Sequence, residues 1–399
     1  MENAIAVGTR FMQEVNSAAT LAELRSARRI SVSALAKRTG LSRQAVTRSL
    51  GLLEADGYVE ISEPDRTVAR SGRPPQMVRF RSELGYVMGV DVNPREVRVL
   101  VADLLGEPAG EARRALSRKE GSIEDVLRRT VVDALADASI TAAKLWHVSI
   151  GVPGIVDIET GNVTLSPNLP ASEGRGLVST VQQIVPCAVA LDNDVKLATR
   201  GERWRSTPRT EDSLVFIDWS ERLGAGIVLH GEIYRGASND SGDLGYLDLL
   251  VEQDAHVDRD GPLGRFERWI GTRELVRLAQ AKSPAGVTVN DVDEVAAAVV
   301  RGEPWAYESL EVIATRFARG VAAIRALLDP EVIIVGGAMT VFGESLLDTL
   351  RHALESEPLN QPRLELSHLG SDAIVQGAIY DSLTAIERAR FAPTAIRTA

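Results

Sequence analysis

One cysteine, Cys187, is present in 399 residues. Internal disulfides are therefore excluded, and so is a zinc site built on a cysteine cluster. No apolar run reaches the ~18 residues that a bilayer-spanning helix needs, which argues against an integral membrane protein. Met1 to Ala4 do not open a basic segment followed by a continuous apolar one. No secretory signal is expected, and a cytoplasmic location is. The hydrophobic share (44%) and charged share (25%) are those of a globular chain. At 399 residues the chain is too long for one ordinary core, so two or three domains are expected.

The net charge of −10 is unevenly spread: residues 20–81 sum to +6 and residues 82–399 to −15. A basic head on an acidic body suggests that only the head meets a polyanion. A solvated basic surface gives the same sum, so the pattern inside the head has to decide. Ala19–Arg28 reads as a first helix, with Leu21 and Leu24 on one side. Ser31–Thr39 reads as a short second helix, N-capped by Ser31 or Ser33. Gly40 permits a tight turn, and Ser42 caps a third helix running to about Asp56. Val46, Leu50 and Leu53 recur at i, i+4 and i+7 and should face the core. The opposite face offers Arg43, Gln44, Thr47 and Arg48, groups that read base edges and phosphates. Gly57–Ile61 then reads as a strand, Glu63-Pro64-Asp65 as a turn, and Gln76–Phe80 as the returning strand.

This pattern is a winged helix-turn-helix, with Ser42, Arg43, Gln44, Thr47 and Arg48 toward DNA. A small helical domain that only packs on the body is the alternative. Arg70-Ser-Gly-Arg-Pro-Pro75 lies between the wing and the body. Gly and Pro hold it extended, and Arg70 and Arg73 suit a narrow, A·T-rich minor groove. An ordinary basic linker has the same composition.

From residue 84 the texture changes. Tyr86–Val92 and Val97–Ala102 read as strands joined at Asn93-Pro94-Arg95-Glu96. The plan recurs with Leu214–Asp218, a break at Trp219 to Arg222, and Leu223–Leu229. Two such openings suggest a duplicated α/β lobe, as in actin-like sugar kinases, which bind nucleotide and substrate between their lobes.

Five motifs in order resemble the ROK family (repressors, open reading frames and kinases). They are Gly151-Val-Pro-Gly-Ile-Val-Asp157, Pro167-Asn-Leu-Pro170, Asp192-Asn-Asp194, Gly236-Ala-Ser-Asn-Asp-Ser-Gly-Asp-Leu-Gly245 and Val335-Gly-Gly-Ala338. The resemblance covers nearly the whole chain, and a winged helix before such a body is the layout of the family's transcriptional regulators. It implies an actin-like, ribonuclease H-like body. The expected division is 1–81 for the head and its linker, 82–195 for a first lobe onto which a C-terminal helix (378–399) packs back, and 196–377 for a second lobe.

The departures bear on chemistry. The family's kinases have a Gly-Gly-Thr phosphate loop at the first hairpin. Here Asp91-Val-Asn-Pro-Arg-Glu96 stands instead, and Pro94 has no N–H to offer phosphate. The second turn, usually Gly-Thr-Gly, carries Glu221, whose charge repels phosphate. Phosphoryl transfer depends on positioning and neutralising the phosphates, so no kinase activity is expected. Tyr246 replaces the histidine of the family's zinc site, and 259–267 holds none of its cysteines, so no metal or cofactor is expected. By resemblance the sugar contacts are Asn168, Asn193, Asp194, Asp243, Tyr246 and Glu267. Asp194 stands where the kinases hold their base, and Asp243 replaces a longer glutamate. A polar turn capping the helix near Val195 also accounts for Asp192-Asn-Asp194.

The expected protein is a DNA-binding regulator, a repressor on a palindromic double-stranded operator, working as a homodimer or homotetramer. Its body senses a sugar or sugar phosphate. A sugar kinase with an added head and a ligand-blind repressor controlled by a partner protein are the rivals.

Overall fold

The computed structural model describes the chain apart from residues 1, 63–75, 118–120, 165–172, 206–210, 254, 256–262, 356–359 and 394–399, and apart from the side chains of 2–7, 9, 164, 173 and 174. Among the described residues, no helix is long and apolar enough to cross a membrane.

The head begins with α1 (Glu2–Ala27), which starts well before the helix expected from Ala19. The N-terminal part of α1 carries little apolar periodicity; Phe11 and Met12 are exposed. Arg28, left-handed at φ 61°, ends it. A short strand β1 (Arg29–Ser31) follows, then α2 (Val32–Thr39) and α3 (Arg43–Ala55). Ser31 caps α2 by accepting the N–H of Ala34, and Gly40 makes the turn at φ 69°. β2 is Val59–Ser62, not 57–61, because Gly57 and Tyr58 are spent closing α3: their N–H groups donate to Glu54 and Leu53. β3 (Met77–Phe80) pairs antiparallel with both β2 and β1.

The body contains two sheets of one topology. In the first, β4 (Tyr86–Val92), β5 (Glu96–Asp103) and β6 (Pro108–Ala115) form an antiparallel meander. After α4 (Ile123–Asp137), β7 (Leu145–Val152) joins β4 in parallel. A small hairpin of β8 (Ile155–Asp157) and β9 (Asn162–Thr164) precedes α5 (Glu173–Gln182). β10 (Ala188–Asn193) then adds parallel to β7, and α6 (Asp194–Arg205) leads to the second sheet. There β11 (Leu214–Trp219), β12 (Leu223–Leu229) and β13 (Glu232–Tyr234) repeat the meander. The helices α7 (Arg265–Ile270), α8 (Thr272–Lys282), α9 (Val292–Val300) and α10 (Pro304–Leu328) follow. β14 (Val332–Gly336), α11 (Glu344–Leu354) and β15 (Arg363–Leu366) complete the sheet, with β14 and β15 parallel to β11. The orders β10-β7-β4-β5-β6 and β15-β14-β11-β12-β13 correspond strand for strand, the duplicated actin-like arrangement.

The last helix, α12, runs from Ala373 to Ile386 and continues as a π-helical turn, Glu387–Phe391. It starts before residue 378 and loses its regular winding well before 399. α12 and α6 lie between the two sheets. Val375, Ile379, Leu383 and Ile386 of α12 cluster with Val87, Leu100 and Ala102 of the first sheet. Ala198 of α6 and Ala373 cluster with Leu214, Phe216, Val332 and Ile334 of the second. The two helices cross in backbone contact: a Cβ on Gly377 would lie 1.8 Å from the carbonyl oxygen of Leu197. The outer faces of the sheets bury separate cores under α4 and α5 and under α8 to α11.

The head does not swing free. Leu24, Leu50, Val59 and Phe80 belong to the same apolar cluster as the first sheet and α12. Arg25 of α1 stands over the rings of Phe80 (6.0 Å) and Phe391 (5.2 Å) and pairs with Glu387 at 3.2 Å. Tyr58 meets Phe391 edge-on at 5.4 Å and Trp146 at 6.5 Å.

Candidate functional sites

The first candidate is the exposed side of α3. Ser42 is the N-cap, its hydroxyl accepting the N–H of Ala45 at 3.2 Å. Val46, Leu50 and Leu53 are buried in the head. Ser42, Arg43, Gln44, Thr47 and Arg48 are all exposed, so the periodicity that buries one side presents the other. Thr47 turns its hydroxyl to the carbonyl of Arg43. A two-turn platform carrying two guanidinium groups and an amide, beside a three-stranded wing, has the form of a recognition helix. Arg70 and Arg73 lie outside the described residues.

The second candidate is the cleft where the parallel strands end, the place where open α/β sheets bind ligands. Asp91 of β4 and Asp192 of β10 both sit level with Gly151 of β7. Asp194 begins α6. One of its oxygens accepts the N–H of Val195 (2.8 Å) and the amide of Asn193 (3.0 Å). That amide also donates to the carbonyl of Gly154, while Asn193 Oδ1 accepts the N–H of Lys196. Asn193 thus fixes the turn that begins α6. Burial, reinforced by the charge of Asp218, pushes Asp194 up to about 6. Asp91 is pushed up to about 7, first by burial and then by Asp194 and Glu96, against the hydrogen bond from Asn93. Its Oδ1 is buried without a partner among the described residues.

Asp243 stands exposed at the rim and is raised by its partly desolvated setting, against the pull of Lys196 and Arg222. Tyr246 is 40% exposed, and its phenol is raised first by its partial burial and then by the charge of Glu267. Glu267 is fully buried, and its oxygens accept the N–H groups of Leu223 and Gly264, both at 2.9 Å. It braces a hairpin to the start of α7, with neither oxygen left open. Asn168 lies outside the described residues. The structure therefore brings Asp194, Asp243, Tyr246 and Glu267 within reach of the charge of Arg222, with Asn193 bonded to Asp194.

Four further residues belong here. Asp218 is the penultimate residue of β11 as Asp91 is of β4, so the duplication itself is the signal for both. Lys196 is buried and ties the loop after β13 to α6, donating to the carbonyls of Asn239 (2.9 Å) and Ser241 (3.2 Å). Arg222, half-buried, opposes the rise of Asp194, Asp243 and Glu267 by its charge. No sequence pattern marked these two cations.

The turns that would cradle phosphates are occupied by the protein itself. Asn93 Oδ1 accepts the N–H groups of Arg95 (3.0 Å) and Glu96 (3.1 Å), and Pro94 has none. At the second turn, the hydroxyl of Ser220 donates to Asp218 and accepts the N–H of Ala338 at 3.0 Å. The family's structural zinc does not fit the residues present, with a phenol for the imidazole and no thiol nearby. Glu267 and the packing of Leu244, Val251, Phe266 and Trp269 hold that region instead.

Comparison with known proteins agrees with this layout. Residues 87–382 match the ROK family and residues 14–71 the MarR family. The chain is 25% identical over 387 residues to the xylose repressor of Caldicellulosiruptor bescii, covering 92% of this chain and 95% of that one. It is 27% identical over 243 residues to the glucokinase of Thermotoga maritima, covering 58% and 75%. Its fold superposes on a ROK family transcriptional regulator, a homologue of the E. coli MLC protein, with a TM-score of 0.74 at 20% identity over 94% of this chain and 99% of that one. A ROK family glucokinase from Streptomyces griseus, solved with glucose and AMPPNP, gives 0.64 at 24% identity over 75% and 100%. With a winged helix-turn-helix ahead of a duplicated actin-like body, the chain belongs to the ROK family and has the layout of its DNA-binding transcriptional regulators.

Proposed function

We propose that this protein is a repressor whose cleft binds a sugar or sugar phosphate without phosphorylating it. The observation that carries the reading is the pairing of an exposed, cationic recognition helix with a first phosphate turn whose N–H groups are already used within the turn and a second that carries Glu221. Asp194, Asp243 and Tyr246 line the cleft with groups that suit vicinal hydroxyls. Two heads in a homodimer, or two pairs in a homotetramer, would read the half-sites of a palindrome.

The test is fluorescence anisotropy of a labelled duplex obtained by selecting fragments that bind the full chain. It is titrated at two salt concentrations, with and without D-xylose, D-glucose and their phosphates. Salt-sensitive binding of the selected duplex far above random DNA, changed by one of these sugars, is expected. Equal affinity for selected and random duplexes refutes the repressor. A second reading, a kinase with an added head, is favoured by the glucokinase likeness. Sugar-dependent ATP turnover would establish it.

A further inference from the structure

We propose that Asp192 is the junction of an ionic relay that couples the state of the cleft to the seating of the winged helix. The relay rests on reading the cleft as the effector site. It begins at Arg235, directly before the loop that carries Asn239, Ser241 and Asp243. The guanidinium of Arg235 grips both oxygens of Asp192, at 2.9 and 2.5 Å. Asp192 is 4% exposed. Its Oδ2 also accepts from Arg200 of α6 at 3.3 Å. The same Arg200 nitrogen donates to Asp381 of α12. The other oxygen of Asp381 accepts from Ser149 of β7, which in turn accepts from Ser382. Further along the same helical run, Glu387 pairs with Arg25 of the head, and Phe391 lies under Arg25 and against Tyr58.

Two features make this a relay rather than a row of ion pairs. A nearly buried carboxylate shared by two guanidinium groups cannot lose one of them without redistributing its bonds, because an uncompensated buried charge is costly. If the loop moves when the cleft fills, Arg235 moves with it, and Asp192 draws more strongly on Arg200. Secondly, α6 and α12 touch backbone to backbone at Leu197 and Gly377, and again where a Cβ on Gly201 would come within 2.2 Å of the carbonyl of Ala373. A contact that close leaves no slack, so a shift of Arg200 carries α12 as a rigid body. The winding of α12 changes at Glu387–Phe391, where it meets the head, and π turns of this kind recur at functional places.

Hydrogen–deuterium exchange on the full chain without ligand tests the relay directly. Arg235→Gln should speed exchange about threefold or more in segments 383–391 and 21–27, far from the substitution, and Arg235→Lys should do so less. Arg25→Gln, at the other end, should speed exchange in 236–245, since coupling is reciprocal. Arg351→Gln, which breaks only two exposed ion pairs, with Glu344 and Asp348, should leave all three segments unchanged. Faster exchange confined to 232–245 and β10 in Arg235→Gln overturns the proposal. If Arg235→Gln loosens the whole chain, Arg200→Gln is read by the same criterion at 383–391 and 21–27. In the anisotropy assay with D-xylose, Arg200→Gln should hold operator and sugar affinities within about threefold while the sugar no longer shifts operator binding. An unchanged shift in Arg200→Gln also overturns the relay. A wild type that answers to no sugar refutes the effector reading instead, and the exchange result still decides the relay.

Discussion

The carboxylate of Glu267 accepts the backbone N–H of Leu223 at 2.9 Å, joining the start of α7 to the foot of the β12 hairpin. Its second oxygen takes the N–H of Gly264. One buried side chain thus holds together the region where the family resemblance implied a zinc site. Glu267→Ala leaves two buried donors without acceptors, at about 1–3 kcal/mol each. Glu267→Gln keeps one acceptor and should lose about half as much. Urea unfolding of the three proteins measures this, and an alanine variant as stable as the parent refutes the brace.

Asp91 makes stability depend on pH. Its carboxyl is pushed up to about 7, mainly by burial, so the folded chain holds this proton more tightly than the unfolded one does. The resulting stabilisation is full below about pH 4 and is lost as pH rises through about 7. Asp91→Asn removes the titration. Its advantage over the parent should therefore widen by about 2–3 kcal/mol between pH 5 and pH 8. A difference that stays constant across that range in urea titrations contradicts the assignment.

Asp194 should make effector binding pH-dependent in the opposite sense. Burial and the charge of Asp218 push it up to about 6, and under the proposed function its charged form would accept a sugar hydroxyl. Sugar affinity should be flat above pH 7 and weaken below 6 by up to about tenfold per unit. Asp194→Ala should abolish the sugar response and leave operator binding intact. Calorimetric titration at pH 5, 6 and 7.5 checks the first statement, and anisotropy checks the second.

Alanine at Arg43 or at Arg48 should cost about 1–3 kcal/mol of specific operator binding. If the lost contact was to phosphate, the slope of log affinity against log salt falls by about one and all sequences suffer alike. If it was to a base, discrimination relaxes at one position. A double variant that binds like the parent removes α3 as the recognition helix.

The sequence was most legible where periodicity and turn chemistry agree. Ser31, Gly40 and Ser42 mark the two helices of the head, and Val46, Leu50 and Leu53 mark which side of α3 is buried. The first two strands of each meander follow from apolar runs broken at Asn93 and Ser220, whereas β6 and β13 carry no apolar run. Three features were not legible. β1 is three residues long, and its pairing with β3 depends on a partner nearly fifty residues away. Glu267 carries the same letter whether it reaches a ligand or two backbone N–H groups; only the approach of Leu223 and Gly264 decides. Lys196, Arg200 and Arg235 look like ordinary surface cations in sequence, and they turn inward because carbonyls and carboxylates from distant strands converge on them.

The shared apolar seam has a consequence for anyone who would exchange the sensor of this protein for another. A graft cut between β3 and β4 would leave Arg25, Tyr58 and Phe80 facing foreign residues in place of Trp146, Glu387 and Phe391. The head is thus not an interchangeable cartridge. A working chimaera has to carry both halves of the seam, including the π-helical turn Glu387–Phe391, more than three hundred residues after the head.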